Sequence, residues 1–240
     1  GDGEERIAPT IQASAVSAPE FLARPIRDNP GEITVIAVGP FTNLRLARLL
    51  EPGIVDAVGE VIVMGGAAGL AGELGNATTV GEANVINDPH AAGALFRYDW
   101  PVTMVGLDVT YTADGSTGPE YMRRLAADGG EAGAFLERIN RFYMGFYERG
   151  RGVHTSFQHD SIAVSYAIDP GLFETLRGKV RVINEGVAKG QTIFCPEGHH
   201  EWDAPGWAGL PTQTVCSQLD GPGFRELFRR TIVEGARRTG

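Results

Sequence analysis

The chain is 240 residues long, with 30 acidic against 21 basic side chains and a formal net charge of −9. A hydrophobic share of 42% with 21% charged residues suits a packed globule and excludes an intrinsically disordered chain. No apolar run reaches the roughly 18 residues of a membrane helix, and an acidic balance without a basic block argues against a nucleic-acid backbone as partner.

In chain order, the opening GDGEERIAPT shows no basic-then-apolar leader pattern but does not begin with methionine, so location is not read from it; a cytoplasmic location is expected. No element is assigned before residue 33. Residues 33–38 (ITVIAV) read as a strand closed by Gly39-Pro40. Thr42 is placed as N-cap of a short helix over 43–50, whose leucines fall at 44, 46, 49 and 50. A second strand spans 60–64 and closes on Gly65-Gly66. After a Gly- and Asn-rich loop, Asp88-Pro89 opens a helix. Residues 102–107 form a third apolar strand, running into Asp108 and Thr110. Helices follow at 119–126, 131–147 and 160–167, strands at 179–183, 191–195 and 213–219, and an amphipathic helix at 223–238. Cys195 and Cys216 make neither a disulfide framework nor a zinc spacing; both are expected free.

Strand, turn, helix, strand is the rhythm of parallel βαβ units, and near-continuous apolar strands belong to a sheet covered on both faces. The expected fold is one α/β domain over 1–240: an open, mostly parallel, doubly wound sheet flanked by helices. In such sheets the ligand crevice lies beyond the carboxyl ends of the strands. Here those ends are Val38-Gly39-Pro40, Met64-Gly65-Gly66 and Leu107-Asp108.

Three segments carry candidate chemistry. In the loop GNATTVGEANVINDP (75–89), Asn76, Glu82 and Asn84 sit at even spacing, so in an extended segment they share one face. Two amides and a carboxylate suit the hydroxyls of a sugar; the same composition also suits a surface loop that spends its side chains on turns. His159-Asp160 precedes an apolar helix. Asp160 is either an N-cap or a ligand for a hard metal, with a histidine beside it that titrates near neutrality. Glu197, His199, His200, Glu201 and Asp203 fit no zinc spacing and read as a solvated loop.

The segments VGPFTNLRLA (38–47), VIVMGG (61–66), GNATTVGEANVINDPHAA (75–92), VTMVGLDVT (102–110) and HDSIAVSYAIDP (159–170), in this order, resemble the inosine-uridine type nucleoside hydrolases. The resemblance runs from about Pro30 to the C-terminal helix. It implies a Rossmann-like fold and hydrolysis of the N-glycosidic bond of ribonucleosides to free base and ribose, with a bound calcium ion. Carried over residue by residue, it puts Asp160 on the metal and the ribose diol, and the Val38 backbone carbonyl on the metal. Asn76, Glu82, Asn84 and Met64 match the residues that hold the ribose, and His159 matches a histidine near the leaving base, as proton donor or stacking neighbour. A homo-oligomer is also implied.

One motif of that family, the aspartate-rich DxDPGxDDA, does not occur in this sequence. N-terminal βα units bearing it are therefore expected on a complementary segment. The alternative is a catalytically incomplete homologue that binds nucleoside or ribose, or serves as a subunit. A lectin-like binding module without enzymatic relatives is a third reading, disfavoured by the order of the motifs.

Overall fold

The computed structural model describes residues 12–199 and 206–239. Helix α1 (Ala18–Asp28) leads into β1 (Thr34–Ala37), α2 (Thr42–Leu50), the short α3 (Ile54–Ala57) and β2 (Glu60–Met64). Next come α4 (Ala83–Asn87), α5 (Pro89–Leu95), β3 (Val102–Val105) and α6 (Leu107–Thr110). A two-residue strand, β4 (Ser116–Thr117), precedes the helical pair α7 (Pro119–Asp128) and α8 (Gly130–Arg151), followed by β5 (Ser156–Phe157) and α9 (His159–Ile168). The last elements are β6 (Phe173–Val182), β7 (Thr192–Pro196), β8 (Gln213–Leu219) and α10 (Gly221–Thr239).

Six strands form one sheet in the order β1-β2-β3-β8-β6-β7. β1, β2, β3 and β8 pair in parallel, while β6 runs antiparallel to both β8 and β7. The fold is the expected α/β sheet flanked by helices, and side-chain alternation shows why both faces are covered. Val61, Val63, Val102 and Met104 point one way, onto α1, α2, α3 and α5. Ile62, Met64, Val105 and Cys216 point the other way, onto α6, α9 and α10. Each such side chain taken fully out of water stabilises the fold by roughly 1.5–3 kcal/mol, so a central strand with no polar face is the cheapest one to bury. Cys195 and Cys216 are free, the latter buried.

Several local expectations are corrected. Helix α1, with Pro19 in its first turn and Pro25 inside it, went unassigned. Pro19 sits in the first turn, where no N–H is needed, and the Glu20 carboxylate accepts from both the N–H and the hydroxyl of Ser17. Thr42 is not an N-cap: it lies inside α2, and its hydroxyl donates to Asp88 Oδ2 at 2.6 Å. Asp88 does open a helix, accepting from Ala91 N at 2.9 Å. One carboxylate thus caps α5 and ties it to α2. Leu107 belongs to α6 rather than to a strand. Residues 83–87 are helical, so the extended, one-face reading of 75–89 fails. Strand β6 begins at Phe173 rather than 179 because its first half is largely exposed and polar, and so lacks an apolar signal. Glu197 and His199 are exposed after β7; His200, Glu201 and Asp203 lie outside the described residues. No helix among the described residues is long and apolar enough to cross a membrane.

Candidate active site

The carboxyl ends of β2 and β3 gather the polar side chains. β2 ends in Met64, and the chain then turns through Gly66 at φ +79°. A Cβ there would lie 2.9 Å from Thr192 Oγ1 and 3.0 Å from Met104 Sδ, so both conformation and space call for glycine. Glu82, 2% exposed, occupies the N-cap of α4 and accepts from Asn84 N at 3.0 Å and Val85 N at 3.1 Å. Its Oε2 also accepts from Gly66 N at 3.1 Å, so the carboxylate that starts the helix also clamps the turn after β2. Burial pushes this carboxyl up, against the lowering effect of those N–H bonds, and the Asp160 charge pushes it further up. The two carboxylates therefore share one electrostatic neighbourhood.

Asn84 Nδ2 donates to Met64 O at 3.1 Å and lies 3.4 Å from Met64 Sδ. Asn76 is exposed and accepts from Ala83 N at 2.9 Å, which closes the loop onto the start of α4. Met64, Asn76, Glu82 and Asn84 are thus brought together, by a helix cap and a loop closure rather than by an extended strand. Val38 sits just past β1 and is 41% exposed. Asp108, 2% exposed, accepts from Ala68 N and Leu70 N, each at 2.7 Å, and fixes the segment that follows the glycine turn.

His159 and Asp160 form the first turn of α9, with Gln158 at the N-cap; Asp160 is therefore not a cap. Asp160 is exposed, yet the surrounding walls still push its carboxyl up. The His159 ring is held at both nitrogens, Nδ1 to Thr110 Oγ1 at 2.8 Å and Nε2 to the Tyr147 hydroxyl at 3.0 Å. Burial pushes the imidazole down to about 4, so it is neutral at pH 7 and carries one ring proton. The Tyr147 hydroxyl meets that of Tyr143 at 2.9 Å. Tyr143, Phe146, Phe157, His159 and Asp160 line a cavity of about 650 Å³. Tyr111 closes the aromatic cluster edge-on to Phe157, 4.6 Å between centroids. Arg151, 4.3 Å above the Tyr111 ring and ion-paired to Glu73, links the end of α8 to the loop before Asn76.

Thr110, Tyr143 and Tyr147 were not among the candidate site residues expected from the sequence. The tyrosines stand at i, i+4 on one face of α8, a spacing that reads as packing. Thr110 meets His159 across 49 residues of chain. Oxygen donors are present in Glu82, Asp160, Asn76 and Asn84. Calcium takes six to eight oxygens, whereas no group of three or more metal-binding side chains occurs among the described residues.

A sequence profile of the inosine-uridine preferring nucleoside hydrolases matches residues 1–226. The chain belongs to that family. Against the probable uridine nucleosidase 2 of Arabidopsis thaliana, this nucleoside hydrolase relative is 32% identical over 222 residues, 91% of this chain but 66% of the plant protein. Just under two thirds of that relative's length is therefore spanned. Among solved structures, a plant nucleoside hydrolase superposes with a TM-score of 0.87 at 28% identity, covering 96% of this chain and 76% of that one. A purine-preferring ribonucleoside hydrolase from Gardnerella vaginalis gives 0.84 at 30% identity, covering 99% and 72%.

Proposed function

We propose that the chain forms the ribose- and base-facing part of a ribonucleoside hydrolase, an N-glycosidase that releases free base and ribose. The observation that carries this reading is the Met64–Glu82–Asn84 cluster at the end of β2, which shares an electrostatic neighbourhood with Asp160 beside the His159 cavity. Cleavage of the bond builds positive charge on the ribosyl ring, and fixed carboxylates and amide oxygens stabilise that charge. Glu82, Asn76, Asn84 and Met64 hold the ribose, and Asp160 takes its diol.

The base leaves into the aromatic cavity, where it needs a proton. The neutral His159 ring anchors the hydroxyls of Tyr147 and Tyr143 beside the cavity, and the proton the base gains comes from the attacking water, whose hydroxide goes to the ribosyl carbon. The pairing of hydroxyls with stacking rings favours substrates such as inosine and uridine.

Calcium belongs to the proposal as a hard cation that Asp160 and the Val38 carbonyl would help hold. No group of three or more His, Cys, Asp or Glu side chains that could hold it occurs among the described residues. Edge strand β1 pairs only with β2 among the described residues. Exposed Leu46, Leu49 and Leu50 lie on the following helix, and Val164 and Ile168 on α9, which packs on β1. This supports a complementary segment that adds a strand beside β1 and brings carboxylates to the site. Homo-oligomeric assembly and a cytoplasmic location belong to the same proposal and rest on the family resemblance.

The test is release of reducing ribose from inosine and uridine by the purified chain, with calcium and with chelator. Calcium-dependent release supports the reading. Should neither nucleoside be cleaved while calorimetry still detects nucleoside binding, the chain is a binding-only homologue. Neither cleavage nor binding, in the chain alone or with an added complementary segment, would refute both.

A further inference from the structure

We propose that the chain carries a second ligand site, a pocket for a small phosphate group between α2, α5 and β6. The cavity measures about 290 Å³ and shares no lining residue with the His159 cavity.

Helical spacing builds it. His90 and Arg97 are seven residues apart, two helical turns, so both rise on one stripe along α5 and its C-terminal turn. Gly93 lies between them, and its missing side chain leaves the floor open: a Cβ there would come 3.2 Å from Asn184 Oδ1. Arg45 enters from α2. On β6, Val180 and Val182 face this side and belong to the core beneath it, and Asn184 continues their alternation. Arg181 also lines the pocket, but it is out of step with Val180 and Val182, and its guanidinium lies 5.8 Å from the Trp207 ring and against Gly206.

The charge balance points to an anion. No Asp or Glu lines the pocket, although the chain carries a net charge of −9. Neither Arg45 nor Arg97 is held in an ion pair among the described residues. The carboxylate that senses Arg45 and His90 is Asp88, and its oxygens are already engaged by Thr42 and Ala91. Asn184 Oδ1 is buried without a hydrogen-bond partner, and so is Arg48 Nε beside Tyr98.

Two guanidiniums, an imidazole and an amide match a tetrahedral oxyanion better than a single carboxylate does, because each guanidinium offers a rigid fork of N–H donors. An unfilled amide oxygen can accept the remaining P–OH or a sugar hydroxyl. The volume sits at the small end for ligand cavities and fits a phosphate bearing at most a sugar-sized group.

The test is isothermal titration of the purified chain at low ionic strength with inorganic phosphate and, separately, with ribose 5-phosphate. Saturable one-site binding is expected, with a dissociation constant below about 1 mM. Arg97→Gln should weaken it roughly tenfold or more, and Asn184→Asp, which sets a carboxylate in the floor, should abolish it. Arg230→Gln removes the same unit of charge from an exposed position on α10, on the other face of the sheet, and should leave binding within about twofold. Tighter binding of the sugar phosphate would assign the site to an ester; equal affinities would assign it to the phosphate alone. Absence of saturable binding to either probe overturns the proposal. So does an equal loss in Arg97→Gln and Arg230→Gln, which would mark binding to overall charge. Melting curves of each variant establish that it is folded, and no part of the readout depends on nucleoside turnover.

Discussion

Asp108 offers the most direct check on how the site is held. Replacing it by asparagine keeps the shape but leaves one oxygen where two accepted, from Ala68 N and Leu70 N at 2.7 Å each. The new NH2 then faces one of those donors. One charge-assisted bond is lost, worth about 1.5–2 kcal/mol at amides that water can reach, and the other weakens by about 0.5–1 kcal/mol, for a total of roughly 2–3 kcal/mol. Ala68 is half-buried and Leu70 is 44% exposed, so water can reach both amides once the segment lifts. The loss is therefore expected first as local opening. Hydrogen exchange at Ala68 and Leu70 should speed up by roughly 30- to 150-fold, and the melting temperature should fall by about 4–12 °C. An Asp108→Asn protein whose two amides exchange at the parent rate would refute the claim that this carboxylate fixes the segment after the glycine turn.

Thr110→Val keeps the packing but leaves His159 Nδ1 without its partner. It should cost about 1 kcal/mol in urea titration and change the ring tautomer seen by nitrogen NMR, while Thr110→Ser restores both. Asp88 is held below its usual carboxylate value: burial pushes it up, but bonds from Thr42 and Ala91 with the charges of Arg45 and His90 outweigh that. A carboxyl lowered by folding stabilises above its unfolded value and loses that effect as pH falls through the folded one. The melting-temperature gap between the parent and Asp88→Asn should therefore be full at pH 7 and close below about pH 4. Burial pushes the Cys216 thiol up to about 12, so a thiol reagent at pH 8 should label Cys195 in the folded chain and Cys216 only after denaturation.

Strands β2 and β8 have the bounds read from the sequence because each is a short apolar or alternating run stopped by glycine, proline or aspartate, a local signal. The candidate residues on the loop after β2 were legible as a set, but their geometry was not. Glu82 caps a helix and reaches back 16 residues to Gly66 N, and glutamate is not a usual N-cap, so nothing in the pattern distinguishes it from a loop acid. Thr110 and Tyr147 meet His159 through folded proximity that no periodicity encodes. α1 carries Pro19 in its first turn and Pro25 in its interior, and the interior proline runs against the usual pattern of a helix.

The strand order carries a consequence in time. The middle of the sheet is closed by β8 against β3, with Val102 N donating to the Gln213 side chain across 111 residues. At synthesis rates of about 5–20 residues per second, β3 waits roughly 6–22 s between its own emergence and that of its neighbour. Folding here is governed by a late, long-range closure. Throughout that interval an apolar strand presents an unpaired edge to other nascent chains, so the steps most open to aggregation come before β8 and α10 have been made.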